Sequence, residues 1–68
     1  MEIREVLATN LRLHRQRQDL SQEELAYRAK IDRTYVSALE RGVHSVTIDV
    51  LDRLARSLDV PAWELLKP

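Results

Sequence analysis

A central segment of the chain carries a pattern of apolar and polar positions that predicts two short helices. Ser21 stands three residues before Glu24, which is the spacing of a capping box, in which each side chain satisfies a backbone N–H at the start of a helix. Asp32 is the cap of a second helix, which Gly42 ends as a left-handed residue. Only about three residues remain for the turn, so we expect the two helices to cross steeply.

Other apolar positions recur at steps of three and four residues, which is typical of amphipathic helices. One glycine, two prolines and few aromatic residues also favour helix throughout. The predicted fold class is therefore all-α, as one domain over residues 1–68 with five helices. They cover residues 3–17, 22–29 and 33–41, then a fourth segment that Thr47 caps, and a fifth from Pro61 to about Lys67.

The same periodicity selects the residues of the hydrophobic core. The first helix has an apolar stripe that starts at Ile3 and ends at the His14 position. The fourth helix has a stripe that starts at Ile48 and ends at Leu58. We expect the following side chains to be buried together: Leu11, Leu25, Val36, Leu39, Ile48, Leu51, Leu54 and Leu58.

Length and composition exclude several classes of protein. A chain of 68 residues lies near the lower limit at which one core is stable, so dimerisation would help it. It has no cysteine, hence neither a disulfide framework nor a thiolate zinc site. Its apolar runs are too short for a membrane span or a signal peptide. We expect a cytoplasmic protein without a cofactor.

The formal net charge is zero, which is unusual for a protein that binds nucleic acid. The distribution of charge weakens this objection, because a neutral molecule can still present one basic face. The last third of the chain carries Asp49, Asp52, Asp59 and Glu64. The part before residue 45 carries Arg12, Arg15, Arg17, Arg28, Lys30, Arg33 and Arg41.

Particular residues in and around the capped pair of helices carry a resemblance to a known family. They are Gln22-Glu23-Glu24-Leu25-Ala26, Ile31, Val36 and Leu39-Glu40-Arg41-Gly42, with Leu11-Arg12 and Arg15 upstream and Thr47-Ile48, Leu51, Leu54-Ala55, Leu58, Val60 and Leu65 downstream. With these residues the chain resembles the helix-turn-helix domains of the lambda-repressor-like, Cro/cI or XRE-type DNA-binding proteins. Residues 32–37 are most similar to the recognition helix of restriction-modification controller proteins.

The chain departs from that family at three positions where glycine is usual, namely Asp19, Lys30 and Asp59. A non-glycine residue in a left-handed conformation costs on the order of 1 kcal/mol. Lys30 matters most because it lies in the turn before the recognition helix. We therefore expect a tighter turn or a longer second helix than is usual in the family.

The outward side of the third helix is where the resemblance implies contact with DNA bases. An arginine can donate two hydrogen bonds to guanine O6 and N7, and a threonine or alanine methyl can touch the thymine methyl. For Tyr35 an alternative is that the ring packs on the second helix and only the hydroxyl is exposed. The residues predicted to contact bases are Arg33, Thr34, Tyr35, Ser37 and Ala38.

A second group of residues is predicted to contact phosphates. Gln22 lies in the first turn of a helix, where free N–H groups and the helix dipole attract an anion. The alternative is that Gln22 is an ordinary surface amide. His44 is either a phosphate contact or an exposed loop histidine, and with only His14 to join it, it makes a poor metal site. The residues predicted to contact phosphates are Arg15, Ser21, Gln22, Arg41, His44 and Ser45.

The resemblance also implies that Arg15 pairs with Glu40. Such a pair would join the first helix to the recognition helix and leave an edge of the guanidinium near a phosphate. The alternative for Arg12, Arg15 and Arg17 is that each is a solvated helix charge.

Trp63 and Leu66 exceed what so small a core can absorb. They predict a self-complementary apolar patch on a two-fold homodimer. The alternative is that Trp63 only covers the edge of the core.

Two classes of function fit these features. The first is a sequence-specific transcription regulator that binds a palindromic operator as a homodimer, with its third helices in successive major grooves about 34 Å apart. Arg33, Thr34 and Gln22 favour it. The second is a protein-interaction module of the antitoxin or anti-repressor kind, which the neutral net charge favours. We expect no enzymatic activity and no small-molecule substrate, because the chain lacks a nucleophile with a base, metal-ligand spacing and room for a substrate cavity.

Overall fold

Four α-helices and one 3-10 helix make up the computed structural model, which describes residues 2–68. The all-α prediction is confirmed. The elements are α1 (Ile3–Arg17), α2 (Gln22–Ala29), α3 (Arg33–Glu40), α4 (Ile48–Ser57) and the 3-10 helix (Ala62–Leu66).

The prediction of five α-helices is corrected at the fifth, because that segment forms the 3-10 helix instead. Pro61 lies just before this helix as its cap rather than as its first residue. So short a segment could form only one or two α-helical hydrogen bonds, and the tighter helix is common in short pieces. The carbonyls of Leu65 and Lys67 instead accept hydrogen bonds from the Asn10 side chain of α1, at 3.0 and 2.8 Å.

Side-chain caps begin three helices at the predicted residues. Ser21 Oγ accepts from the Glu24 N–H, and the Glu24 carboxylate accepts from the Ser21 N–H, both at 3.0 Å. Asp32 accepts from the Thr34 N–H at 2.9 Å, and Thr47 Oγ1 accepts from the N–H of residue 50 at 3.1 Å. The three caps confirm where α2, α3 and α4 begin.

Hydrogen bonds at two of these caps change the acidity of a carboxyl group. The Ser21 backbone N–H lowers the pKa of Glu24, and the Thr34 hydroxyl lowers the pKa of Asp32. A carboxylate whose pKa is depressed by folding stabilises the fold above its unfolded pKa, and this contribution is lost as the pH falls through the lowered pKa. Both caps therefore act fully at neutral pH.

A left-handed residue follows each of the four α-helices. Lys30 has φ 59° and ψ 46°, and Asp19 and Asp59 have φ of 55° and 57°. The expected tighter turn or longer second helix is not found, because α2 ends at Ala29 and Lys30 itself adopts the left-handed conformation. Gly42 has φ 71°, which confirms it as a left-handed residue after α3.

The hydrophobic core lies where the helices meet, and one predicted member is missing from it. Ile48 is 79% exposed, because it is the first residue of α4 and extends past the end of the packed region. Val50 is buried on the same helix instead. The other predicted core residues are confirmed as buried: Leu11, Leu25, Val36, Leu39, Leu51, Leu54 and Leu58.

The predicted stripe of α1 is likewise too long. Ile3, at the start of the helix, is 59% exposed, whereas the His14 side chain at the other end of the stripe is only 14% exposed. Val6, Leu7 and Leu11 between them are buried. Periodicity therefore selected the correct face of α1, but not the length of helix that the core covers.

A buried ion pair connects α3 to α1. The Arg15 guanidinium donates to both carboxylate oxygens of Glu40, from Nε at 2.6 Å and from Nη2 at 2.9 Å. This confirms the pairing that the resemblance implied. Hydrogen bonding to Glu40 raises the pKa of Arg15, although partial burial opposes the rise. Arg15 also donates to the carbonyl of Leu20 at 2.8 Å, which ties the α1–α2 connection to the same pair.

Two more side chains donate to Glu40. The Gln22 amide at the start of α2 donates to Oε1 at 3.1 Å, and Arg12 donates to the Glu40 backbone carbonyl at 3.2 Å. Among residues 2–68, no buried side-chain nitrogen or oxygen lacks a hydrogen-bond partner. Donors from α1 and α2 thus fix the last residue of α3.

We expect Leu39→Ala to lower the free energy of unfolding by about 2–5 kcal/mol, because it leaves a cavity in the core. Leu39 is 1% exposed. The matched control is Leu13→Ala, which removes the same atoms from a side chain that is 40% exposed. It should lower stability by less than about 1 kcal/mol. Urea denaturation measures both, and equal losses would show that Leu39 lies outside the structural core.

A double-mutant cycle tests the ion pair. We expect Glu40→Ala to lower stability by about 3–5 kcal/mol, because it leaves the Arg15 guanidinium without its partner in a mostly buried place. The loss in Arg15→Ala/Glu40→Ala should be smaller than the sum of the two single losses by about 0.5–3 kcal/mol. Additive losses in urea denaturation would mean that the pair contributes no coupling.

Candidate nucleic-acid interface

The first turn of α3 is open to solvent on one side. Arg33 and Thr34 are exposed, while Val36 and Leu39 on the opposite side are buried in the core. Ser37 and Ala38 are half-buried, at the edge between the two sides. The ion pairs found within residues 2–68 do not include Arg33, so its guanidinium is available to an external partner.

A shallow depression lies beside this exposed turn. Its volume is ≈ 280 Å³, and its lining residues are Thr34, Tyr35, Ala38 and His44.

Methyl and ring groups supply most of the wall of this depression, so it can receive a small apolar group such as a methyl.

Tyr35 connects α3 to the loop that follows it. Its hydroxyl donates to the carbonyl of Ser45 at 3.2 Å, and its ring meets that of His44 edge to face, with centroids 5.4 Å apart. Tyr35 is half-buried and packs against the core. The ring of Tyr35 therefore packs against the protein, as the second alternative expects. The hydroxyl, however, is bonded to the loop rather than free.

The residues predicted to contact phosphates lie on both sides of α3. Ser21 and Gln22 are at the start of α2, and Gln22 contacts Glu40 at the end of α3. His44 and Ser45 lie in the exposed loop beside Tyr35. The structure thus groups these residues around the third helix.

Several of these side chains already have partners within the protein. Gln22 is not an isolated surface amide, because it donates to Glu40. Arg15 uses three of its five guanidinium N–H groups on Glu40 and Leu20, and its side chain is only 14% exposed. Arg41 is exposed and makes only a long hydrogen bond, 3.4 Å, to the carbonyl of Ser37. Arg41 is therefore freer than Arg15 to contact a phosphate.

The sequence reasoning missed the role of Arg12. Its hydrogen bond to the Glu40 carbonyl satisfies a backbone acceptor at the end of α3. The signal was the spacing of Arg12 and Arg15, since residues three apart lie on the same side of a helix and can reach the same target.

Within residues 2–68, no group of three or more histidine, cysteine, aspartate or glutamate side chains is placed to hold a metal ion. The helices of this same range are also too short or too polar to span a bilayer.

Comparison with known proteins gives matches along most of the chain. A family model described as helix-turn-helix matches residues 11–64. A hypothetical transcription factor from Neisseria meningitidis serogroup B is 45% identical over 67 residues, and these cover 98% of this chain but only 63% of the relative. The solved structure of the hypothetical transcription factor NHTF from Neisseria superimposes with a TM-score of 0.95, over 98% of this chain and 77% of that one.

Two restriction-modification control proteins are also similar. C.SmaI from Serratia marcescens is 41% identical over 66 residues, which cover 97% of this chain and 79% of the relative. C.Esp1396I, solved as a tetramer in complex with its natural 35 base-pair operator, is 28% identical with a TM-score of 0.83, over 98% of this chain and 99% of that one. The chain belongs to the XRE-type, lambda-repressor-like helix-turn-helix family, and restriction-modification controller proteins are among its relatives.

Proposed function

We propose that this protein is a sequence-specific transcription regulator that binds a palindromic operator in double-stranded DNA as a homodimer. It acts in the cytoplasm as a single domain, without catalysis or a small-molecule substrate. The observation that carries the proposal is the exposed first turn of α3, which presents Arg33 and Thr34 on a helix whose other end is held by buried hydrogen bonds.

The placement of these side chains supports contacts to bases. Arg33 reaches farthest from the N-terminal end of α3, the end that enters the major groove in this motif. A guanidinium can donate to guanine O6 and N7 together. The depression beside Thr34 and Ala38 suits a thymine methyl. Tyr35 and Ser37 complete the set proposed to face the bases.

Contacts to phosphates flank this set. Ser21 and Gln22 place the start of α2 toward one strand, where free N–H groups favour an anion. Arg41, His44 and Ser45 place the end of α3 and its loop toward the other. Phosphate contacts fix the orientation of the helix in the groove without reading the sequence.

An apolar face supports the homodimer. Trp63 is 62% exposed, and it lies three residues from Leu66, so the two share one side of the 3-10 helix. Leu66 lines an open groove of ≈ 380 Å³ together with the exposed Ile3 and Ile48. A patch of this kind is suited to a second copy of the same surface. We propose that it forms the two-fold interface.

Selection of bound sequences from a randomised duplex pool tests the function. We expect recovery of a palindrome with guanine at one position of each half-site. No enrichment of any sequence would favour the protein-interaction module instead.

Arg33→Ala should weaken binding to that operator by about 1–3 kcal/mol and relax the preference at one base pair in each half-site. The matched control is Arg41→Ala, which removes the same groups from a residue proposed to contact a phosphate. It should weaken binding by a similar factor on every duplex. Titration against operators substituted at each guanine measures both. Equal weakening by Arg33→Ala on all duplexes would make Arg33 a phosphate contact.

Trp63→Ala should raise the dissociation constant of the homodimer at least about tenfold, because a large aromatic side chain at the centre of an interface contributes much of its energy. Tyr27→Ala is the control, since Tyr27 is an aromatic residue of α2 that is 86% exposed. Sedimentation equilibrium measures the constant. A wild-type protein that stays monomeric at high micromolar concentration would contradict the proposed interface.

A further inference from the structure

A basic cleft lies between the C-terminal ends of α2 and α4. Its volume is ≈ 350 Å³, and the residues that line it are Arg28, Ala29, Lys30, Arg53, Arg56 and Ser57. The four cationic side chains among them are exposed, and no carboxylate lines the cleft. None of these residues has a role in the contacts proposed above.

One carboxylate at the rim reduces the positive charge of the cleft. Asp52 accepts from Arg56 Nε at 2.9 Å, in a pair whose side chains are 52% and 79% exposed. Glu24 also attracts Arg28, but its carboxylate is already bonded to Ser21 in the capping box. The cations therefore remain in excess, in a protein whose formal net charge is zero. Such a local excess creates a positive potential that the net charge does not reveal.

Helix ends explain only part of this cluster. Arg28 and Arg56 lie in the last turns of α2 and α4, where a cation interacts favourably with the helix dipole. Lys30 is the C-cap residue of α2, at the same helix end as Arg28, whereas Arg53 lies before the last turn of α4. Arg53 therefore increases the charge of the cleft without that benefit to a helix end.

The cleft is close to the N-terminal end of α3. Lys30 precedes the Asp32 cap by two residues, which places their Cα atoms within about 7 Å of each other. In the proposed complex this end of α3 enters the major groove. In that complex the Lys30 edge of the cleft therefore lies near the duplex.

We propose that the cleft formed by Arg28, Lys30, Arg53 and Arg56 binds backbone phosphates of the DNA that flanks the bases read by α3. This inference rests on the proposed function and extends the contact surface beyond the recognition helix. Three of the four cations are arginines, whose planar donors match phosphate oxygens in pairs. An acidic protein partner is disfavoured, because the cleft offers no large apolar side chain as an anchor.

A substitution at Asp52 tests the proposal through an increase in DNA affinity, whereas substitutions of the cations test it through a decrease. Asp52→Asn releases Arg56 and removes a negative charge from the rim, so it should tighten binding. Arg53→Gln/Arg56→Gln should weaken binding. Damage to the fold could explain weaker binding, but it could not explain tighter binding.

The experiment compares two duplexes, the selected operator alone and the operator with added flanking base pairs, over a range of salt concentrations. On the longer duplex we expect Arg53→Gln/Arg56→Gln to weaken binding about threefold to tenfold and to lower the salt slope by about 4 for the homodimer, since each protomer loses two phosphate contacts and each contact contributes about 0.9. Asp52→Asn should bind the same duplex about twofold to threefold more tightly. On the short duplex, all three proteins should bind alike.

Asp49→Asn is the control for charge alone. It changes the net charge by the same amount as Asp52→Asn, but in the first turn of α4, outside the pair of Asp52 with Arg56. We expect it to leave binding unchanged on both duplexes. Melting temperatures of all variants, followed by circular dichroism, report on folding independently of DNA.

Each remaining outcome overturns a stated proposal. If the wild type binds the operator selectively and the cleft variants bind both duplexes as tightly as the wild type does, the cleft proposal alone is overturned. The cleft would then be left to an acidic protein. Equal effects of Asp49→Asn and Asp52→Asn would show a general effect of charge and would overturn the cleft proposal as well. Absence of wild-type binding to both duplexes would overturn the proposed function and the cleft together.

Discussion

The hydrogen-bonded pair of Arg15 and Glu40 is the constraint on which the recognition helix depends. With eight residues, α3 is too short to be stable alone, so its place must be set by contacts with other helices. Glu40 receives donors from α1 and α2 at once. A buried pair adds little stability over apolar packing, but its geometry is directional. It fixes the last residue of α3 and leaves the first turn open.

Features that depend on neighbouring residues could be predicted from the sequence. The caps at Ser21, Asp32 and Thr47 involve partners two or three residues away, so their signals are local. The pair of Arg15 with Glu40 spans 25 residues and was expected only through the family resemblance. The hydrogen bond from the Asn10 side chain to the Leu65 carbonyl spans 55 residues and was not expected. Its only signal was a polar residue beside an apolar stripe.

Contacts between distant residues were also unpredictable from the sequence at the candidate interface. Periodicity identified the outward side of α3, but it could not show that the Tyr35 hydroxyl bonds to the loop at Ser45. It also could not show where the core ends, which is why Ile48 was placed inside. A repeat of three and four residues gives the direction of a side chain. Whether another element covers that side chain depends on how the helices pack.

The left-handed residues at Asp19, Lys30 and Asp59 have a consequence for laboratory evolution of the protein. Each non-glycine residue in this conformation carries strain on the order of 1 kcal/mol, which glycine would relieve. New base preferences require substitutions on α3, and most substitutions reduce stability. Glycine at these three turns, all outside the helices, would offset such losses. A retargeted variant could then accept more changes on its reading surface before it unfolds.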